Sequence, residues 1–438
     1  METNSQTGHS YRQIIKGIYT AIGGKGIAVA VNFFAVPLTI HYLGPERYGV
    51  WVTLTSILGY LTIFDLGIAS TVSNKVVDAL AAGDFDSARN RTNAAYVALG
   101  AIAAGIGLLV AVVWPSLDWP KLLGDRVQGD AREITLAAAC SIIVLLVTFP
   151  FSLTPRIMGA GRKVALANYW ASAGSVLSFV CVVVATRSQA GLPGLVFSYS
   201  GAALLVGIFS TIWIYRHFEW LTPSFSKIQL QDVREMLKTG LPFFAVQISG
   251  IVLFQTDNVI IAQLFGAREV TPYAVTWRLF SYASMLQVIA LPALWPAYAD
   301  AFSRRDMIWI RKTYRYNLMV SMGSTAVFTL ILLGIGQRFI ALWAGPAAVP
   351  TFGLVAAMAC WTLISTLSWS EGCLLGAAGR VKGQAIYSAV GAVVNLGASI
   401  WFGRIFGLTG IIMGTLTAYL TCIIIPQTIE VTRLLREK

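Results

Sequence analysis

The chain has 438 residues, of which 56% are hydrophobic and only 12% are charged, whereas soluble domains carry roughly 25% charged residues. This composition excludes an ordinary soluble protein and predicts an all-α protein that crosses a membrane several times. The formal net charge of +12 does not indicate a nucleic-acid partner, because the basic residues are scattered between apolar stretches instead of clustering on one face. A polar start leads directly into a long apolar run, unlike a cleaved signal peptide, so we expect the first helix to be retained.

Apolar stretches long enough to span a bilayer recur along the whole chain. A spanning helix needs about 20 residues, and the sequence contains twelve stretches of that kind. They cover residues 17–40, 48–74, 92–116, 134–155, 164–186, 190–215, 239–266, 270–299, 316–337, 350–378, 383–403 and 405–429. None of the connections is long enough to form an independent domain, so we expect the function to reside within the membrane.

The basic residues are distributed unevenly between the two sides of the membrane. If the N-terminus is cytoplasmic, 22 Lys and Arg residues fall on the cytoplasmic side and 8 on the opposite side. The remaining two, Lys25 and Arg278, lie inside apolar stretches. Such an asymmetry over short loops predicts that the N- and C-termini are both cytoplasmic.

Short motifs recur in the same order in the two halves of the chain. The matches are Asp84 and Arg89 with Asp306 and Arg311, Gly161-Arg162 and Tyr169 with Gly379-Arg380 and Tyr387, and GLPGL from Gly191 with GLTGI from Gly407. Their offset falls only from 222 to 216 residues. We therefore predict a tandem duplication, in which residues 1–220 and 221–438 each form a six-helix bundle. A pseudo-two-fold axis along the membrane normal relates such bundles in transporters.

Lys25 is the only charged residue between Gly17 and Ile40. A charge at the centre of a membrane helix costs at least about 2.5 kcal/mol on insertion scales, so we expect a compensating environment. Asn32, seven residues further on, shares the helical face of Lys25 with several small residues. We predict that Lys25 and Asn32 face a water-filled cavity. The alternative is that the helix starts late or tilts, which would place Lys25 near the inner headgroups.

Arg278 lies farther from either end of its apolar stretch. It follows Gly266 by twelve residues and precedes Arg304 by twenty-six. A guanidinium group is a natural bidentate partner of phosphate or carboxylate oxygens, which favours a ligand-binding role. The alternative is a structural ion pair with Asp257 on the preceding helix, and the two interpretations are compatible.

Three carboxyl groups also lie in apolar stretches, namely Asp65, Asp257 and Glu371. The two aspartates are candidate cation or proton sites, and they are equally candidate counter-ions of Lys25 and Arg278. Glu371 lies about nine residues before Arg380, which favours a role in anchoring a loop over a role in transport.

The charges inside the apolar stretches are not repeated between the halves. An offset of 222 residues places Lys25 on Gln247, Asp65 on Gln287 and Arg278 on Ser56. We therefore interpret these charged residues as parts of a functional site, carried by a scaffold that is duplicated.

Three stretches resemble a known transporter family. They are HYLGPERYGVW at residues 41–51, taken as the first loop, GYLTIFDLG at 59–67 and DNVIIAQLFG at 257–266. Together with the twelve spans, they make the chain resemble the polysaccharide transporters that flip O-antigen and related lipid-linked oligosaccharides, the Wzx-type flippases. These belong to the superfamily that includes multidrug and toxic compound extrusion (MATE) proteins.

The resemblance implies translocation of an undecaprenyl-pyrophosphate-linked oligosaccharide from the cytoplasmic to the periplasmic leaflet of the bacterial inner membrane, for O-antigen, capsule or exopolysaccharide. It implies alternating access coupled to H⁺ or Na⁺, with basic cavity residues that hold the pyrophosphate. Lys25 and Arg278 lie on the first and eighth helices, where related flippases carry cavity cations, and Asp65 and Asp257 match acidic positions typical of the family. The implied unit is a monomer that cooperates with polysaccharide polymerase and chain-length machinery.

Two other classes of function remain as alternatives. A MATE-type antiporter of organic cations has the same architecture, although Arg278 would repel a cationic drug. A membrane-embedded glycan polymerase or glycosyltransferase would need a sizeable loop with catalytic groups, and the sequence has none, so we expect no enzyme. The sequence also lacks a phosphate loop for ATP, and its five cysteines and three histidines show no metal-binding spacing. We therefore expect no metal or cofactor.

Overall fold

A computed structural model describes residues 2–65, 67–123, 131–222 and 255–436 of the chain. Within these ranges the backbone is almost entirely helical and contains no β-strand. Eight helices of the described part are long and apolar enough to cross a membrane, or nine if the pair Ala267–Ser284 and Ile289–Ser303, bent by 45°, is one span. The expectation of an α-helical, multi-pass membrane protein is confirmed. The number of twelve spans stays a prediction, and most of the stretch 239–266 lies outside the described residues.

The chain divides into two compact units. Among the described residues, unit 1 contains those up to Leu43, those from Leu58 to Leu122 and those from 131 to 222. Unit 2 contains Gly44–Ile57, Leu123 and the residues from 255 onward. The boundary predicted between residues 220 and 221 borders the undescribed segment 223–254, and it stays a prediction.

The described residues of unit 1 form seven helices longer than one turn, and the first of these continues into unit 2. They are α1 (Glu2–Leu61), α2 (Ile68–Ala81), α3 (Phe85–Val113), α4 (Ala131–Thr148), α5 (Thr154–Ala160), α6 (Val164–Arg187) and α7 (Gly191–His217). Single turns occupy Thr62–Asp65, Trp114–Ser116, Trp119–Leu122 and Phe149–Leu153. The core of unit 1 contains fully buried side chains from α2, α3, α5 and α7, such as Val72, Leu99, Ile157 and Ile214.

Unit 2 contains the C-terminal limb of α1 and seven further helices. They are α8 (255–265), α9 (Ala267–Ser281), α10 (Met285–Ser303), α11 (Met307–Ala344), α12 (Phe352–Ala377), α13 (Val381–Ala418) and α14 (Ile425–Arg436). A π-helical turn at Tyr419–Ile424 joins α13 to α14, and 3₁₀ turns occupy Tyr282–Ser284 and Pro346–Ala348. One hydrophobic core of this unit is formed by buried side chains that include Tyr298, Ile310, Leu374 and Val431.

Two helices contain a sharp break at a glycine. Gly44 in α1 has φ 76° and ψ 166°, and Gly407 in α13 has φ 63° and ψ −144°. Only glycine adopts such angles without strain, and Pro45 is suited to start the helical limb that follows Gly44. This break at Gly44 falls within residues 41–51, the stretch expected to be the first loop, and it takes the form of a turn at one glycine between two helical limbs.

Local turn geometry repeats between the two halves of the chain. Asp84 accepts a hydrogen bond from Ser87 N (2.9 Å) at the start of α3, and Asp306 accepts one from Trp309 N (3.0 Å) at the start of α11. Positive φ angles recur at the same offsets, in the pairs Gly44 with Gly266, Gly83 with Arg305 and Gly191 with Gly407. Caps and turns at matching positions support the predicted tandem duplication.

The two limbs of α13 approach each other through glycines. A Cβ atom on Gly414 would lie 2.4 Å from the backbone nitrogen of Ser399, and one on Gly410 would lie 2.0 Å from the carbonyl oxygen of Phe402. Real Cβ atoms do not come so close to a backbone, so these positions require glycine. Close backbone contact through small residues is a main way in which membrane helices associate.

We predict that Gly414→Ala destabilises the protein, because the added methyl group would force the limbs of α13 apart. The expected cost is about 1–3 kcal/mol, as for overpacking in other cores. The measurement is the midpoint of thermal unfolding in detergent. Gly397→Ala is the matched control, since a Cβ there meets no atom within 4 Å. Equal midpoints for the two variants would contradict the close packing of the limbs.

Candidate functional site

Unit 2 encloses a cavity of about 540 Å³. Its walls are formed by the C-terminal limb of α1 and by α8, α9 and α12. Asp257 and Arg278 are the charged residues among those that line it, and the rest of the lining combines aromatic rings with hydroxyl and amide groups. The volume falls within the range of about 300–1,000 Å³ that is typical of sites for small ligands.

The C-terminal limb of α1 is held against α8 and α9 by close backbone contact and hydrogen bonds. A Cβ on Gly49 would lie 1.7 Å from the carbonyl oxygen of Ala267, so only glycine fits there. Thr271 Oγ1 donates to the carbonyl oxygen of Pro45 (2.5 Å). These contacts make the first helix one wall of the cavity.

Arg278 lines the cavity from α9 and is half-buried. Within the described part of the chain, its guanidinium group forms no ion pair and no hydrogen bond to a protein group. Asp257 lines the same cavity, but its hydrogen bonds are to other side chains. Among the described residues, Arg278 and Asp257 form no ion pair, and two hydroxyl donors bind one oxygen of the carboxyl group of Asp257. A structural pair of Arg278 with Asp257 stays a prediction.

Asp257 lies on α8 and is only 4% exposed. Its Oδ2 accepts a hydrogen bond from the hydroxyl of Tyr273 (2.5 Å), and Thr415 Oγ1 donates to the same oxygen over 3.3 Å. Its Oδ1 is buried and has no hydrogen-bond partner among the described residues. Burying a polar oxygen without a partner is costly, and this oxygen therefore marks a position at which a proton or cation would be stabilised.

The donor Thr415 belongs to a larger polar network between the two limbs of α13. Asn395 Nδ2 donates to Thr415 Oγ1 (2.9 Å), and Ser399 Oγ donates to the carbonyl oxygen of Ile411 (3.1 Å). Asn395, Ser399 and Thr415 are all fully buried. Asn395 Oδ1, like Asp257 Oδ1, has no hydrogen-bond partner within the described ranges. Oxygen ligands of this kind suit hard cations.

Glu371 lies in the interior of α12 and is 1% exposed. Its Oε1 accepts a hydrogen bond from Thr428 Oγ1 of α14 (2.8 Å), while its Oε2 is buried without a partner. The sequence-based expectation that Glu371 anchors a loop is corrected here, because its hydrogen-bond partner lies on a helix. The residue joins two helices of unit 2.

Asp65 lies at a break in unit 1, where the 3₁₀ turn Thr62–Asp65 meets α2. Its Oδ1 accepts a hydrogen bond from Gly67 N (2.8 Å), and Gly67 has φ 72°. This bond stabilises the turn between the two elements. A further role of Asp65 as a cation site or as a counter-ion of Lys25 stays a prediction.

Lys25 and Asn32 lie on α1 within unit 1, and both are half-buried. Asn32 Nδ2 donates to the carbonyl oxygen of Ala28 (2.8 Å), and Asn32 lines a second cavity of about 360 Å³ in this unit. Lys25 is not among the residues that line that second cavity. The predicted role of the two residues in substrate binding stays a prediction.

Sequence analysis missed the neutral polar residues of the site. Asn395, Ser399 and Thr415 carry no charge, so a search for charges in apolar stretches passes over them. Asn395 and Ser399 are spaced four residues apart and therefore share one face of an otherwise apolar helix. Helical spacing of neutral polar residues was the signal that could have found them.

Comparisons with known proteins agree on a transporter family. The profile of the family described as polysaccharide biosynthesis protein matches residues 14–302. The chain is 23% identical to a putative O-antigen transporter of Salmonella typhi, over 72% of this chain and 70% of the relative. It is 20% identical to a putative O-antigen export protein of Yersinia pseudotuberculosis, over 92% of each chain. Among solved structures, an inward-facing multidrug resistance transporter of the MATE family, in the MOP superfamily, shares its fold with a TM-score of 0.78 at 14% identity, over 93% of this chain and 97% of that one.

We predict that Tyr273→Phe lowers the thermal stability of the protein in detergent. The substitution removes the hydroxyl that donates to Asp257 Oδ2 and leaves a buried carboxyl group with one donor fewer. The expected cost is about 1–3 kcal/mol. Tyr316→Phe is the matched control, because the side chain of Tyr316 is 65% exposed. An unchanged unfolding midpoint for Tyr273→Phe would count against a structural role of this hydrogen bond.

Proposed function

Because the chain belongs to the polysaccharide biosynthesis protein family, we propose that it is a flippase for undecaprenyl-pyrophosphate-linked oligosaccharide. It moves this lipid from the cytoplasmic to the periplasmic leaflet of the bacterial inner membrane, in the synthesis of O-antigen, capsule or exopolysaccharide. The proposal includes twelve spanning helices, cytoplasmic termini and alternating access. The observation that carries it is Arg278, a half-buried cation on the wall of a cavity in a membrane protein, which forms no ion pair with any residue that the structure describes.

A charged group in a membrane is expensive unless a partner compensates it. Arg278 has no anionic partner among the described side chains, so an anionic ligand is the natural source of compensation. A guanidinium group can donate two parallel hydrogen bonds to one phosphate, which fixes its orientation as well as its position. The pyrophosphate of the lipid supplies this chemistry, and the resemblance to flippases supports the same assignment.

The charge of the cavity also separates this proposal from the alternative of an organic-cation exporter. A cationic drug that entered the cavity would face the guanidinium group of Arg278, one of the two charged groups of its lining. Like charges in a low-dielectric site repel strongly. An anionic headgroup avoids this repulsion.

For the coupling ion, we place the binding site at the orphan oxygens of Asp257 and Asn395. Both oxygens belong to one buried hydrogen-bond network and both lack a donor. A proton would give Asp257 a donor of its own, and Na⁺ would instead be held by several oxygens. Either ion would neutralise Asp257 at the edge of the cavity that contains Arg278, and occupancy of the site would therefore alter the affinity for an anionic substrate.

We predict that Arg278→Ala abolishes export of the surface glycan in a deletion strain carrying the variant gene. The loss of a charge-assisted hydrogen bond should lower substrate affinity about 10- to 100-fold. Arg278→Lys should retain part of the activity, because it keeps the charge and loses the fork of donors. Arg404→Ala is the control, since Arg404 is exposed. Full complementation by Arg278→Ala, at normal protein levels, would falsify the proposal for this residue.

We predict that Asp257→Asn uncouples transport from the ion gradient. The protein is reconstituted in vesicles, and flipping of undecaprenyl pyrophosphate is followed with and without an imposed Na⁺ or pH gradient. Wild-type transport should accelerate with one of the gradients, and the variant should show the same rate in all conditions. Asp300→Asn is the control, because Asp300 is exposed and pairs with Arg304. A variant that still responds to the gradient removes Asp257 from the coupling step.

A further inference from the structure

We infer that the cavity of unit 2 binds a pyranose ring as well as phosphate, and that Trp369 and Asn258 are the residues that bind it. The inference rests on the proposed function, since it assigns the sugar part of the same substrate to the cavity that contains Arg278. In this assignment Arg278 binds the pyrophosphate, which all such lipids share, and Trp369 and Asn258 contact the glycan.

Three of the aromatic rings around the cavity pack on one another. Tyr273 stacks on Trp277 with ring centroids 6.3 Å apart, and Trp277 stacks on Trp361 at 5.7 Å. Tyr419 contacts the same Trp361 edge-on at 4.7 Å. These rings support the helices that position Asp257 and Arg278. Their faces are covered by protein, so they are poor platforms for a ligand.

Trp369 differs from these rings. It lies eight residues after Trp361 on α12, two turns further along the same face, and it lines the cavity in a half-buried position. Within the described residues no aromatic ring stacks on it. The face of an indole carries negative partial charge and attracts the polarised C–H groups of a sugar ring, while its flat surface excludes water from one side. Trp369 therefore offers the cavity a ring face that no other aromatic side chain covers.

Asn258 supplies a hydrogen-bonding group in the same lining. Its Nδ2 donates to Ser56 Oγ over 3.0 Å, which fixes the orientation of the amide. Its Oδ1 is buried and accepts no hydrogen bond from the part of the chain that the structure describes. A sugar hydroxyl is a donor that would satisfy this oxygen, and a site built to bind a hydroxyl discriminates strongly against a ligand that lacks it. Asn258 and Trp369 thus provide the two elements of carbohydrate recognition, a hydrogen-bond acceptor and a flat apolar face.

The test compares binding of two kinds of lipid to the full-length protein in detergent. One probe is undecaprenyl pyrophosphate, and the others are the same lipid carrying one glucose, galactose or N-acetylglucosamine. We expect wild-type protein to bind at least one glycosylated lipid about tenfold more tightly than the bare lipid, as one net hydrogen bond and a ring contact would give. Trp369→Ala and Asn258→Ala should lose this difference and keep the affinity for the bare lipid.

Two further variants separate binding from folding. Trp369→Phe keeps a flat ring and should restore most of the preference for the glycosylated lipid. Trp401→Ala removes a tryptophan that is 61% exposed, and it should leave both affinities unchanged. If no glycosylated lipid binds more tightly than the bare one, or if Trp369→Ala loses both affinities equally, the sugar-binding assignment is overturned and the proposed function stands. If wild-type protein binds none of the lipids, the proposed function itself fails.

Discussion

The lipid interior contains no water that could satisfy a buried polar group, and this constraint shapes unit 2. Every donor and acceptor taken into the membrane must find its partner within the protein or in a ligand. The hydroxyls of Tyr273 and Thr415 meet this demand for one oxygen of Asp257, and Asn395 extends the network from Thr415 to the N-terminal limb of α13. What the network leaves unsatisfied is as informative as what it satisfies. The guanidinium group of Arg278 and two buried amide or carboxyl oxygens are the groups for which an anion and a cation are the missing partners.

The protein combines a repeated frame with a site that is not repeated. Helix caps at Asp84 and Asp306 occupy matching positions in the two halves of the chain, and so do several turns with positive φ. Glycine and aspartate are needed at such points for backbone reasons, so duplication preserves them. Arg278 corresponds to Ser56 in the other half, and both residues line the same cavity. The chain therefore carries a guanidinium on one copy of this position and a small hydroxyl on the other, which leaves space beside the charge.

Sequence alone predicted the class of protein and the residues at which charge enters the membrane, because both follow from composition and from the cost of burying ions. It also singled out Arg278, which the structure places on the wall of the cavity in unit 2. It did not predict that Tyr273 and Thr415 would donate hydrogen bonds to Asp257. These partners lie on other helices, and the spacing of residues along the sequence does not show how the helices pack. Sequence analysis also placed breaks between spans beside Gly44 and Gly407, because apolar stretches end at residues 40 and 403 and new ones begin at 48 and 405. It did not predict that one glycine with a positive φ forms each break, since hydropathy does not encode backbone angles.

The π-helical turn at Tyr419–Ile424 has a geometric consequence for the end of the chain. Such a turn holds one surplus residue, and each residue of an α-helix advances by about 100° around the axis. Thr428 follows the turn, so the surplus residue determines the direction around the helix axis in which the hydroxyl of Thr428 points, and hence its contact with Glu371. Without it, everything downstream would be rotated by more than a quarter of a circle. One inserted residue thus sets the rotation of the last helix relative to the rest of unit 2. Deleting a residue from the turn would point the side chains of α14 in another direction.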